Sequence, residues 1–85
     1  MKKYKVLLER NAERALYDLP KSDVQLISES LDALESDPRP PGAKKLLNQE
    51  GYRIRKGKYR VLFTLEDSAR LVRVYRIGHR RDVYR

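Results

Sequence analysis

Apolar residues along this chain change their spacing partway, from a helical repeat in the first half to strict alternation in the second. The opening Lys3-Tyr4-Lys5-Val6-Leu7-Leu8 alternates and then turns apolar, which predicts a strand with one covered and one partly exposed face. Ala12, Ala15, Leu16 and Leu19 follow at helical spacing, with Asn11 placed to cap that helix and Pro20 to end it. A second helix begins almost at once. Ser22 and Gln25 have capping-box spacing, and Val24, Ile27, Leu31 and Leu34 form an apolar stripe. Asp23, Glu29, Asp32 and Glu35 fall mainly outside that stripe, and the helix should end near Ser36.

Asp37-Pro38-Arg39-Pro40-Pro41-Gly42 cannot continue a helix, because prolines remove donors and fix φ. Residues 43–51 are compatible with a helical turn or with an extended approach to a strand. From Tyr52 the period is two: Tyr52-Arg53-Ile54-Arg55 alternates, Lys56-Gly57 supplies a tight turn, and residues 58–65 return as a longer strand. Glu66-Asp67-Ser68-Ala69 turns the chain again, and Leu71 to Ile77 is a further strand ending at Gly78. The order βααβββ plus a basic C-terminal segment predicts an α+β fold, with an antiparallel sheet of about four strands and two N-terminal helices on one face. Alternation places Val61, Phe63 and Leu65 under the helices and Arg60, Leu62 and Thr64 on the open side.

Charge divides along the same line as the periodicity. Residues 1–42 hold seven Lys/Arg against eight Asp/Glu, while residues 43–85 hold thirteen against four, so the net charge of +8 belongs to the second half. These cations are interleaved with aromatic and β-branched residues, which describes a structured basic face and points to a polyanion such as nucleic acid. Eighty-five residues suit one domain spanning 1–85. With no cysteine and one histidine, no structural metal or cofactor is expected. The apolar stretches are short and the N-terminus lacks a signal-peptide core, so no membrane partner and a cytoplasmic location are expected.

The chemistry-bearing candidates gather on the predicted hairpin. Arg53 and Arg55 are two apart on one strand and leave the same face, and the turn brings Arg60 beside them. Guanidiniums that close repel one another unless an anion sits among them, and their planar donors suit phosphate oxygens. The competing reading is a solvated strand face on which arginine covers apolar surface. Lys44, Lys45, Lys56, Lys58 and Arg81 extend the basic surface. Tyr59 and Tyr75 are expected to pack their rings at the sheet edge with hydroxyls in water.

Tyr52-Arg53-Ile54-Arg55, Gly57-Lys58-Tyr59-Arg60-Val61-Leu62-Phe63 and Ile77-Gly78-His79-Arg80-Arg81-Asp82-Val83-Tyr84-Arg85 resemble the RelE family of bacterial and archaeal toxins, within the RelE/ParE superfamily. The resemblance spans nearly the whole chain, including the helix break at Leu19-Pro20 and the Lys45-Leu46 step before the sheet. It implies a toxin of a toxin–antitoxin system, restrained by a RelB-like antitoxin in a hetero-oligomer. It also implies a ribosome-dependent endoribonuclease that cuts mRNA in the A site. There the ribose 2′-hydroxyl attacks the adjacent phosphate and the 5′ oxygen leaves, without a metal. By the same resemblance Arg53 and Arg55 occupy basic strand positions that are often lysine, and Arg60 and Arg80 hold the scissile phosphate. Tyr84 stacks an mRNA base, and such stacking is worth ~1–3 kcal/mol.

The departure lies at Arg53 and Arg55, since a guanidinium stays charged across the physiological range and cannot serve as a proton acceptor. His79 is therefore the candidate for proton transfer, because imidazole titrates close to neutrality and other members of the superfamily use histidine. A histidine after glycine at a strand end also has a bland reading, as the cap of a turn. Two rival functions stand beside the nuclease: a ParE-like gyrase-inhibiting toxin, and a catalytically degenerate RNA-binding member of the family.

Overall fold

Strong alternation after Tyr52 and helical periodicity before it produce two layers, a pair of helices laid across one face of a sheet. The computed structural model describes residues 3–81. Its elements are β1 (Lys5–Leu8), α1 (Arg10–Tyr17), α2 (Lys21–Leu34), β2 (Lys44–Lys45), β3 (Tyr52–Lys56), β4 (Tyr59–Glu66) and β5 (Leu71–His79). The sheet order is β1-β5-β4-β3-β2. The class is α+β as the patterning predicts, but the sheet has five strands and is mixed rather than antiparallel throughout. β1 lies parallel to β5, because the two-helix crossover carries the chain back over one face before the hairpins begin. The fifth strand is Lys44–Lys45, which pairs antiparallel with Arg53 and Tyr52 and resolves the open reading of that stretch as extended.

The core lies between the layers. Ala12 and Leu16 of α1 and Ile27, Leu31 and Leu34 of α2 are buried against Ile54, Val61, Phe63, Val72, Val74 and Ile77, with Val6, Leu8 and Leu65 packed beside them. Phe63 is the largest fully buried side chain and sits on the central strand β4. Its truncation to alanine would cost about 3–5 kcal/mol, a large share of the ~5–15 kcal/mol that holds a small domain together.

Helix ends depart from the sequence expectation. Neither Asn11 nor Ser22 caps: α1 starts at Arg10 with Glu9 as N-cap, α2 starts at Lys21 with Pro20 as N-cap, and neither makes a side-chain cap bond. Glu9 is still tied to the sheet through its N–H to the Val74 carbonyl (2.9 Å), so the helix must start at the very next residue. Asn11, one turn-position later, instead sends its Nδ2 to the carbonyl of Tyr75 (3.0 Å). That carbonyl lies where β5 bulges: Leu62 pairs with Arg76 but Phe63 pairs with Val74, leaving Tyr75 as the extra residue. A bulged residue leaves its backbone groups outside the ladder, and Asn11 satisfies one of them.

A clamp fastens the proline-rich connection to the end of the sheet. Arg39 donates to both carboxylate oxygens of Asp67 (3.2 and 2.8 Å) and to the Tyr52 hydroxyl (3.2 Å), and Tyr4 donates its hydroxyl to Asp67 (2.5 Å). Arg39 foremost, and then Tyr4, hold the Asp67 carboxyl down at about 2, below its ordinary 3.8. A carboxylate depressed on folding stabilises the native state above its unfolded pKa and ceases to do so as pH falls through the folded one. The melting temperature of the wild type should therefore exceed that of Asp67→Asn at neutral pH, with the difference shrinking between about pH 4 and pH 2. Thermal melts across that window check it.

Gly51 precedes β3 with φ +110°, and a Cβ there would collide with the Phe63 carbonyl oxygen. Gly51→Ala should lower stability by at least about 1–3 kcal/mol from backbone strain alone. The loss would appear as an earlier denaturation midpoint with an unchanged m-value.

Candidate nucleic-acid interface

The helices cover one face of the sheet, and the register decides what the other face presents. In antiparallel pairing, residues directly opposite share a face. Arg55 is opposite Arg60, Arg53 is opposite Leu62, and Lys44 is opposite Arg53. On the other side of β4, Leu62 is opposite Arg76, Arg60 is opposite Gly78, and Thr64 is opposite Arg73. Arg53, Arg55 and Arg60 therefore share one face, turned away from the Val61 and Phe63 side chains that pack under the helices. The ladder runs one step past β5 through the Arg80 N–H to the Lys58 carbonyl (3.0 Å), which sets the Arg80 backbone two residues from Gly78, the register partner of Arg60.

Like charges directly opposite one another in a sheet are destabilising, yet Arg55 and Arg60 are held in that relation. Arg53, Arg55 and Arg80 form no ion pair with any described residue; the ion pair among the described residues joins Arg39 to Asp67. Arg60 is half-buried and its Nε is shielded from water. A guanidinium withdrawn from solvent acts on an approaching anion through a lower effective dielectric, which strengthens the attraction. Leu62 stands among these arginines and is only 1% exposed although it lies outside the helix-side cluster. Its register partners on that face are Arg53 and Arg76, residues with stems long enough to cover an apolar neighbour.

Other candidates are placed elsewhere. His79 is opposite Tyr59, and its ring meets the Tyr59 ring edge-on (6.4 Å between centroids, 81° between planes). Tyr59 points into the helix layer, 6% exposed, with its hydroxyl donating to Asp23 (2.8 Å), so His79 is on the side away from the arginines. That contact corrects the expectation of a Tyr59 hydroxyl in water; the Asp23 carboxylate accepts its hydrogen bond and so raises the phenol above its ordinary range. Tyr75 also keeps its hydroxyl bonded, to the Glu50 carbonyl (3.2 Å). Lys44 is on the arginine face, Lys45 is opposite Tyr52 on the other, and Lys56 borders the groove between α2 and β3. Lys58 sets its Nζ 5.7 Å from the Tyr59 ring centroid, and Arg81 is exposed in the turn after β5. Tyr84 lies outside the described residues. No three His, Asp or Glu side chains are grouped to hold a metal ion among the described residues, and no helix there is long and apolar enough to cross a membrane.

Arg73 and Arg76 join this face although the sequence reading passed them over. Three residues apart, they fall on opposite faces of a regular strand. The bulge at Tyr75 returns Arg76 to the side of Arg73. The signal was present in the apolar positions, where Val72 and Val74 are two apart but Ile77 follows after three.

Comparison with known proteins identifies the fold and the family. Residues 6–84 match the family described as ParE toxin of type II toxin–antitoxin system, parDE. A protein of Methanocaldococcus jannaschii that carries the name RelE1 toxin is 29% identical over 87 residues, covering 98% of this chain and 97% of that one. The toxin–antitoxin complex RelBE2 of Mycobacterium tuberculosis contains a chain of the same fold (TM-score 0.81, 29% identity, 96% of this chain and 97% of that chain). The RelE–RelB complex of Pyrococcus horikoshii shares the fold as well (TM-score 0.79, 24% identity, 94% and 98%). A match over nearly the whole chain, on a fold that carries an open arginine face, shows that this chain belongs to the RelE/ParE family, as a RelE-type toxin of a toxin–antitoxin system.

Proposed function

We propose that this toxin is an endoribonuclease that enters the ribosomal A site and cleaves mRNA by attack of a ribose 2′-hydroxyl on the adjacent phosphate. The observation that carries the reading is the pairing of Arg55 with Arg60, beside Arg53 and at the end of the ladder that reaches Arg80. Charge accumulates on the phosphoryl oxygens as the 2′ oxygen adds and before the 5′ oxygen leaves. Donors fixed in advance around that point lower the barrier because they need not reorganise. Arg53, Arg55, Arg60 and Arg80 supply those donors, and Tyr84 supplies a platform for a base. Lys44, Lys45, Lys56, Lys58 and Arg81, joined by Arg73 and Arg76, attract the RNA and ribosome backbone. A RelB-like antitoxin restrains the toxin in a hetero-oligomer by covering the basic face, the groove between α2 and β3, or both.

A second reading rests on the family description, which names ParE toxins. On that reading the chain inhibits gyrase and performs no phosphodiester chemistry. Purified toxin added to a translation reaction with mapping of cut mRNA, beside a gyrase supercoiling assay, separates the two: cleavage with normal supercoiling supports the nuclease, and the reverse supports the inhibitor.

Arg60→Ala and Arg80→Ala should each lower cleavage about 10²–10³-fold, the range for removing a transition-state donor, with melting temperatures close to wild type. Cleavage at the wild-type rate in both variants overturns the assignment. Arg76→Ala should weaken RNA binding with little regard to sequence and reduce the slope of log K against log salt by about 1, as loss of one phosphate contact does.

A further inference from the structure

His79 ends β5 with its ring on the side away from the arginine face, set between Tyr59 of β4 and the backbone of the residues that follow it. Its Nδ1 accepts a hydrogen bond from the backbone N–H of Arg81 (3.3 Å). A side-chain acceptor reaching the N–H two residues on is the arrangement that Asn and Asp make in an Asx turn. The imidazole is braced against the Tyr59 ring, and Tyr59 is anchored through its hydroxyl to Asp23 in the first turn of α2. Between these points lies Arg80, whose own N–H is bonded to the Lys58 carbonyl. The backbone of Arg80 is thus held at three successive places: by the ring of His79 before it, by Lys58 at its own N–H, and by Nδ1 at the N–H after it. Gly78, opposite Arg60, carries no side chain and leaves the arginine face open between Arg60 and Arg80.

We infer that His79 is a positioning residue: its Nδ1 caps the Arg80–Arg81 turn, aims Arg80 at the phosphate site, and transfers no proton. The inference rests on the nuclease reading and specifies how one of its phosphate-holding groups is set. The arrangement makes a demand that acid–base chemistry does not. Any side chain that accepts the Arg81 N–H from position 79 will serve, whether or not it titrates. Asparagine meets that demand and cannot relay a proton at neutral pH; alanine does neither.

The test uses purified full-length wild type, His79→Asn, His79→Ala, Arg80→Ala and the His79→Ala/Arg80→Ala double variant in ribosome-dependent cleavage, with thermal melts of each. His79→Asn is expected to cleave within a few-fold of wild type, and His79→Ala to fall about 10²-fold, as misplacement of a catalytic group by about 1 Å does. The double variant is expected to cleave no more slowly than Arg80→Ala, because the effect of position 79 passes through Arg80. His79→Asn losing about 10²-fold or more, the range of general acid–base catalysis, overturns the inference, as does His79→Ala at the wild-type rate or a double variant whose losses multiply. If His79→Ala does not fold, His79→Asn decides alone. Wild type that leaves mRNA intact overturns the nuclease reading and this inference with it; active wild type with a disabled Asn variant overturns the inference only.

Discussion

The register of β4 against its two neighbours is the constraint on which the molecule depends. It sets Val61 and Phe63 against the helices and, by the same alternation, sends Arg60 and Leu62 to the other side, where Arg53, Arg55 and Arg76 meet them. A slip of one residue would expose the core and bury the arginines together, so the hydrophobic requirement of one face enforces the crowding of charge on the other. Folding energy from Phe63 and its neighbours thereby holds cations at separations they would not choose. An anion shared among them would relieve that repulsion, which is the physical ground for the phosphate-binding role proposed for this face.

The bulge in β5 shows how a detail remote from the chemistry shapes the interface. Tyr75 is the extra residue, its carbonyl is received by Asn11 at the start of α1, and the half-turn it adds brings Arg76 beside Leu62. Without it Arg76 would face the helices, where burial of an unpaired guanidinium costs several kcal/mol. Asn11 thereby ties the first helix to the strand that carries Arg73 and Arg76.

Much of this was readable from the chain alone, because the relevant periods are strong. Val24, Ile27, Leu31 and Leu34 mark the buried stripe of α2, and the alternation from Tyr52 to Leu65 assigns the two faces, though the apolar run Val61-Leu62-Phe63 leaves the register to be fixed by the fold. What escaped was whatever depends on partners distant in sequence. The parallel neighbour of β1 is more than sixty residues away, and two lysines are too few to announce a strand. Asn11 and Ser22 satisfied local rules for caps, but Glu9 is drawn into the sheet and Pro20 already has the fixed φ that starts a helix. His79 invited a chemical role by its residue type, and only its pairing with Tyr59 reveals which side of the sheet it takes.

The parallel pairing of β1 with β5 decides the order in which the sheet can close. Lys5 to Leu8 find their hydrogen-bonding neighbours only in Leu71 to Val74, so the sheet remains open at that edge until synthesis has passed the last of these residues. Contacts so far apart in sequence form late and slowly. The local hairpin of β3 and β4, which aligns Arg53, Arg55 and Arg60, needs no such closure, so the edge strand is the last part of the sheet to be fastened.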